Sequence, residues 1–214
     1  MNLGDYTIVQ GDCVSDAAVP SDRVSGLLRS AARVLCRLLG WEYVGYPAAP
    51  RVLFLASPHT SNWDAFYMIV CAYAIGIRIS WLGKDSLFRT PVLGWLLTKT
   101  GGIRIDRSGG LDTVAAIARV FEGRSSIYLG VAPAGTRSKR DHWKSGFYHI
   151  AQKADVPLVC GFLDYARKRG GCGPAIHLTG NVSEDMDKLR EFYATITGHT
   201  PENTSDIRLL SEMD

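Results

Sequence analysis

Apolar and polar positions alternate in blocks along this chain, and two periods are visible. Residues 21–40, SDRVSGLLRSAARVLCRLLG, repeat at helical spacing. Val24, Leu27, Leu28, Ala31, Val34, Leu35, Leu38 and Leu39 form one stripe, and Arg29, Arg33 and Arg37 a row on another face. Asp22 is the expected N-cap and Gly40 the expected stop. The stripe suits a terminal helix docked on a core. It equally suits an interfacial helix with its apolar face in lipid and its arginines at anionic headgroups.

Beyond residue 40, short apolar runs alternate with helical segments. RVLFLAS, IRISWLG, GIRID, SSIYLGV, PLVCGFLDY and PAIHLTG read as strands; 62–75, 91–98, 111–121, 145–154 and 183–196 read as helices. RKRGGCG at 167–173 is the expected hairpin turn between the last two strands. The alternation predicts a mixed α/β sheet covered by helices. The expected organisation is a flexible tail over 1–20, an amphipathic helix over 21–40 and one domain over 41–214. Trp63, Trp81, Trp95 and Trp143 are expected in the core.

Composition narrows the class. With 214 residues, 46% hydrophobic and 21% charged, the chain is long enough for a full core, and a net charge of +3 does not argue for nucleic-acid binding. Five cysteines without CxxC spacing read as reduced thiols of a cytoplasmic protein. The first twenty residues lack the basic start and apolar stretch of a signal peptide. The longest apolar-rich run, residues 65–77, falls short of the ~20 residues a membrane span needs.

Candidate chemistry sits where the strands end. PHTSNWD at 58–64 follows the first buried strand. On one continuous helix, His59 and Asp64 would point about 140° apart. They meet only if His59 lies in a loop and Asp64 in the first turn of the next helix, with Ser61 or Asn62 as N-cap. Three further segments, LGKDSLF, TGGIRIDRS and VAPAGTRSKR, supply Lys84, Arg104, Arg107 and Arg137 beside flexible glycine backbone. One proton acceptor with several cations is the equipment for holding an anionic, phosphorylated molecule beside a general base. GxSxG, the P-loop and HExxH are all absent, which argues against a nucleophile-elbow hydrolase, P-loop NTP cleavage and a catalytic metal.

PHTSNWD resembles the HxxxxD motif of the glycerolipid acyltransferases, the family that includes 1-acyl-glycerol-3-phosphate acyltransferase. GKDSLF resembles that family's segment after the second strand, GGIRIDRS its second motif, PAGTRS its third and VPLV at 156–159 its fourth. WKSGFYHIA and LDYARKR resemble segments of its small members. The resemblance implies a glycerol-3-phosphate acyltransferase-like fold, His59 as general base and Asp64 as the group fixing its tautomer. It implies acceptor-phosphate contacts from Arg104, Arg107, Gly135, Thr136 and Arg137, a phosphate or thioester contact from Lys84, and an acyl pocket shaped by Val156 and Pro157. The amides opening the 62–75 helix are expected to serve the oxyanion.

The implied reaction moves a fatty acyl group from acyl-CoA or acyl carrier protein to the hydroxyl of an anionic lysolipid such as 1-acyl-glycerol-3-phosphate, with no cofactor. The expected place is the cytoplasm, peripheral at the inner face of the membrane through residues 22–39. Where the third motif of the family carries glutamate, this chain has Ala134. That departure points to a specialised non-glycerolipid acceptor, or to a catalytically weakened lipid-binding relative, as the alternatives.

Overall fold

The structure, a computed structural model, describes residues 24–84, 89–105 and 112–213. Its centre is a seven-stranded sheet in the order β1-β7-β6-β2-β5-β3-β4. The strands are β1 (Glu42–Val44), β2 (Arg51–Ala56), β3 (Ile79–Lys84), β4 (Gly102–Ile105), β5 (Ile127–Val131), β6 (Leu158–Asp164) and β7 (Arg169–Ile176). All neighbours run parallel except β6 and β7. The mixed sheet matches the expected class, and the parallel core explains why β2 and β5 read as unbroken apolar runs. Leu53, Leu55, Leu129 and Leu158 are each fully buried, and each such side chain stabilises the fold by about 1.5–3 kcal/mol.

Helices cover both faces. α1 (Gly26–Leu39), α2 (Trp63–Ile75) and α3 (Pro91–Lys99) follow the first half of the chain; α4 (Asp112–Arg119), α5 (Gly146–Ala154) and α6 (Val182–Tyr193) follow the second. The core on one face joins Phe121 and Ile117 to Phe147, Ile150 and Leu189. The core on the other joins Val52, Phe54 and Tyr128 to Ala72 and Ile75 of α2.

The N-terminal helix differs in detail from its sequence pattern. It starts at Gly26, with Ser25 rather than Asp22 as N-cap: the Ser25 hydroxyl accepts from the Leu28 amide at 3.4 Å. Gly40, at φ 69°, ends it in a left-handed turn, with amides of Gly40 and Trp41 donating to the carbonyls of Arg37 and Cys36. The face that docks on α2 is built from Ala32 and Cys36, small enough to let the two helices approach. Leu27, Leu28, Val34 and Leu38 of the apolar stripe face solvent instead, Leu27 at 82% and Leu38 at 78% exposure. Two of the three arginines turn to protein: Arg33 donates to the Ala74 carbonyl at 3.1 Å and lies over the Tyr43 ring, and Arg29 packs beside Gly76.

Two other expectations are corrected, and one strand is new. The hairpin turn spans 165–168, not 167–173, and RGGCG lies inside β7, because its glycines let β7 pack closely between β1 and β6. At Gly171 and Gly173 a side chain would strike the Val44 carbonyl and the Phe192 ring. β1, three residues long, has too little pattern to be seen in the sequence. Trp63 and Trp95 are exposed rather than core, whereas Trp143 is buried and Trp81 sends its indole N–H to the Thr100 carbonyl.

Candidate active site

The parallel strands β2, β5, β3 and β4 all end on one edge of the sheet, where ligands of α/β sheets bind. β2 and β5 are neighbours, with Leu55 opposite Val131. The loop after β2 therefore lies beside the loop after β5, although 75 residues of chain separate Asn62 from Arg137. Lys84 and Arg104 close β3 and β4 on the same edge, Gly83 pairing with Arg104. Arg107 lies outside the described residues.

The loop after β2 contains a cis Ser57–Pro58 bond and then His59. Asp64 lies in the first turn of α2 and points back to the loop. Its Oδ2 accepts from the Thr60 amide at 2.7 Å, the Ser61 amide at 2.9 Å and His59 Nδ1 at 3.1 Å. Its Oδ1 accepts from the Tyr165 hydroxyl at 2.8 Å. Burial pushes the Asp64 carboxyl up, but the hydrogen bonds from His59, Ser61, Tyr165 and Thr60 outweigh it and hold the group below its ordinary value. The aspartate is thus an anion that fixes one imidazole nitrogen and leaves the other to the cavity.

Asn62 occupies the N-cap position without capping through its side chain. Its amide oxygen instead accepts from Arg137 Nη1. The amides of Thr60, Ser61 and Trp63 are already committed, the last to Ser61 Oγ at 3.2 Å. The oxyanion role expected of this turn therefore has fewer free donors than the sequence suggested.

The loop after β5 turns at Gly135, whose φ of 67° suits glycine, and at which a Cβ would press on the Lys144 side chain at 3.2–3.3 Å. Ala134 is buried, packed into the core beneath the turn. Thr136 follows half-buried and Arg137 exposed. Lys144 reaches the same wall, its backbone pinned by an amide hydrogen bond to the Pro133 carbonyl. Lys144, the lysine of WKSGFYHIA, has no site role in the sequence pattern. Tyr165, the first residue of the hairpin turn, was missed altogether.

His59, Asp64, Gly135, Thr136, Arg137 and Lys144 all line one cavity of about 890 Å³. Its deeper walls are apolar: Met68, Ala72 and Ile75 of α2, Ile77, Ile79 and Trp81 around β3, and Leu96 and Leu97 of α3. That size lies within the range of small-molecule sites. Val156 and Pro157 do not reach it. Val156 is buried in the opposite core, and the Pro157 carbonyl accepts from the Leu53 amide at 3.0 Å, so this Val-Pro step starts β6 at the far end from the site.

The arrangement is a mixed α/β sheet with a His–Asp pair at the mouth of an apolar cavity. A sequence model of the acyltransferase family matches residues 46–161, and the chain belongs to that family. It is 30% identical over 108 residues to 1-acyl-sn-glycerol-3-phosphate acyltransferase BAT2 of Brassica napus, covering 47% of this chain and 30% of the relative. It is 28% identical over 118 residues to a 1-acyl-sn-glycerol-3-phosphate acyltransferase of Saccharomyces cerevisiae, covering 52% and 38%. The matched segments thus span about a third of those relatives' length. Its fold is similar to the crystal structure of the 1-acyl-sn-glycerophosphate acyltransferase PlsC from Thermotoga maritima, with a TM-score of 0.50, 14% identity, and coverage of 78% of this chain and 74% of that one.

Proposed function

We propose that this chain transfers a fatty acyl group from a thioester donor, acyl-CoA or acyl carrier protein, to the hydroxyl of an anionic lysolipid such as 1-acyl-glycerol-3-phosphate. The observation that carries the reading is the His59–Asp64 pair, 3.1 Å apart, at the mouth of an apolar cavity that Arg137 and Lys144 also line. His59 Nε2 takes the proton of the acceptor hydroxyl, and the freed oxygen attacks the thioester carbonyl. The tetrahedral intermediate collapses, expelling the thiolate, which recovers the proton from the imidazolium. Asp64 holds Nδ1 and offsets the positive charge that His59 carries between these steps.

The remaining site residues divide between the two ends of the acceptor. Arg137, with Gly135, Thr136 and Lys144, holds the acceptor phosphate, and the family resemblance adds Lys84, Arg104 and Arg107 to that role. The acyl chain runs into the cavity between α2 and α3. The exposed Leu27, Leu28, Val34 and Leu38 of α1 rest on a membrane surface, from which the lipid acceptor is drawn. No helix among the described residues is long and apolar enough to cross a membrane.

Ala134 favours a second reading. A buried alanine leaves Arg137 and Lys144 without the carboxylate the family pattern supplies, which suits a specialised acceptor other than a glycerolipid. The experiment is a turnover assay with radiolabelled acyl-CoA against a panel of acceptors, run on the native chain and on Ala134→Glu. Acylation of 1-acyl-glycerol-3-phosphate by the native chain supports the first reading. Turnover confined to another acceptor supports the second, and binding without turnover on every acceptor defeats both.

A further inference from the structure

We infer that Tyr165 is a positioning residue of the His59–Asp64 pair, its hydroxyl setting the orientation and charge of the aspartate. This deepens the acyl-transfer reading and rests on it for the kinetic part of the test. The two oxygens of Asp64 are served unequally. Oδ2 takes three donors, all from residues 59–61 of its own loop. Oδ1 takes the Tyr165 hydroxyl at 2.8 Å, from a residue 101 positions further along the chain. That phenol ties the second oxygen to a different strand end and opposes rotation of the carboxylate plane about the three loop bonds.

Tyr165 is itself held on several sides. Its amide donates to the Thr197 carbonyl at 2.9 Å. Its ring meets those of Trp41, Tyr67 and His199 edge to face, at centroid distances of 5.0, 5.7 and 5.0 Å. Burial and the bond to Asp64 push its phenol above the ordinary tyrosine range, so it stays protonated and can only donate to the aspartate. The other titratable or charged groups around the pair are Tyr67 and Cys71 of α2, Arg137 and Lys144 across the cavity, and His199 beyond the Tyr165 ring.

The electrostatic consequence has a sign. A donated O–H withdraws charge from Asp64. Without it, the carboxylate presents more charge to the imidazolium, which is then favoured over the neutral ring. The aim of the imidazole is then less well fixed.

The test is Tyr165→Phe, which removes one oxygen and keeps the ring. Steady-state kinetics with acyl-CoA and the accepted lysolipid, over a range of pH, should show kcat lowered about tenfold with KM little changed, equivalent to ~1.4 kcal/mol. The acid limb of the profile should move to higher pH. A second readout needs no turnover: the His59 ring signals, followed by NMR, should move in Tyr165→Phe, because the carboxylate that holds Nδ1 loses its Oδ1 anchor. If native turnover is absent, the acyl-transfer reading falls and the NMR comparison decides this one. A folded Tyr165→Phe with native kcat and native profile, beside a Tyr165→Leu that loses activity, would assign Tyr165 to packing and overturn the inference. So would unchanged His59 ring signals.

Discussion

Arg137 donates to the side-chain oxygen of Asn62, so the loop after β5 is latched to the first turn of α2. The contact joins the segment that carries the cation to the segment that carries the base. It also spends the Asn62 side chain, which would otherwise cap the helix. Guanidinium, amide and helix N-terminus therefore meet at the mouth of the cavity.

His59→Ala should abolish turnover of the accepted acceptor, while circular dichroism and a cooperative melt show a native fold. His59 is a partly exposed loop residue and contributes little to the core. Asp64→Asn should cost at least about a hundredfold in kcat, through loss of the fixed tautomer. Near-native turnover by folded His59→Ala would remove the mechanism.

Arg137→Ala and Lys144→Ala should each raise the KM of a phosphorylated acceptor by about tenfold, a loss of ~1.4 kcal/mol, with the donor KM changed much less. The double variant should show a non-additive effect, because both side chains line one wall. Equal rises for donor and acceptor would place these cations on the phosphates of the coenzyme instead.

The depressed titration of Asp64 makes a stability prediction. A carboxyl whose folded value lies below its unfolded one stabilises the fold above the unfolded value, and loses that contribution as pH falls through the folded one. The native chain should thus resist urea better than Asp64→Asn at neutral pH. The gap should close below the ordinary value of 3.8. A gap that widens with acid would contradict the hydrogen-bond account of this carboxylate.

The exposed apolar row of α1 is testable on lipid. Leu27→Glu with Leu38→Glu should strongly reduce co-sedimentation with anionic vesicles while leaving turnover of water-soluble short-chain substrates. These side chains are largely exposed, so the change should not unfold the helix. Replacing Arg33 is the contrasting case: its bond to the Ala74 carbonyl makes the loss structural, and stability should fall with it. Vesicle binding unchanged by the double leucine variant would leave this stripe without a lipid role.

Much of the site was legible because its grammar is local. Asp64 lies five residues after His59, and strand, loop and helix start can be read from Pro58, Asn62 and the apolar runs on either side. The adjacency of β2 and β5 is not local. Nothing in either segment says that Leu55 will stand opposite Val131, and the meeting of Asn62 with Arg137 follows from that register alone. Tyr165 stayed hidden for the same reason, as a residue after a strand whose partner lies in another loop. The face of α1 was ambiguous because a stripe of leucines reads alike whether it meets protein or lipid. Small residues decided it, Ala32 and Cys36 making the closer contact with α2. Val156 and Pro157 were assigned to the cavity through resemblance, but they precede the start of β6, and it is the other end of that strand, Gly161 to Leu163, that lines the cavity.

Only Gly40 separates the end of α1 from Trp41, and Trp41 stacks on Tyr67 of α2 at 4.4 Å before the chain enters β1. Such a joint has no slack. Whatever surface holds the outer row of α1 holds the rest of the molecule at a set tilt, as a bracket holds a shelf. On such a surface the cavity mouth would keep one height and heading, and its search for acceptors would shrink from three dimensions to a glide in two.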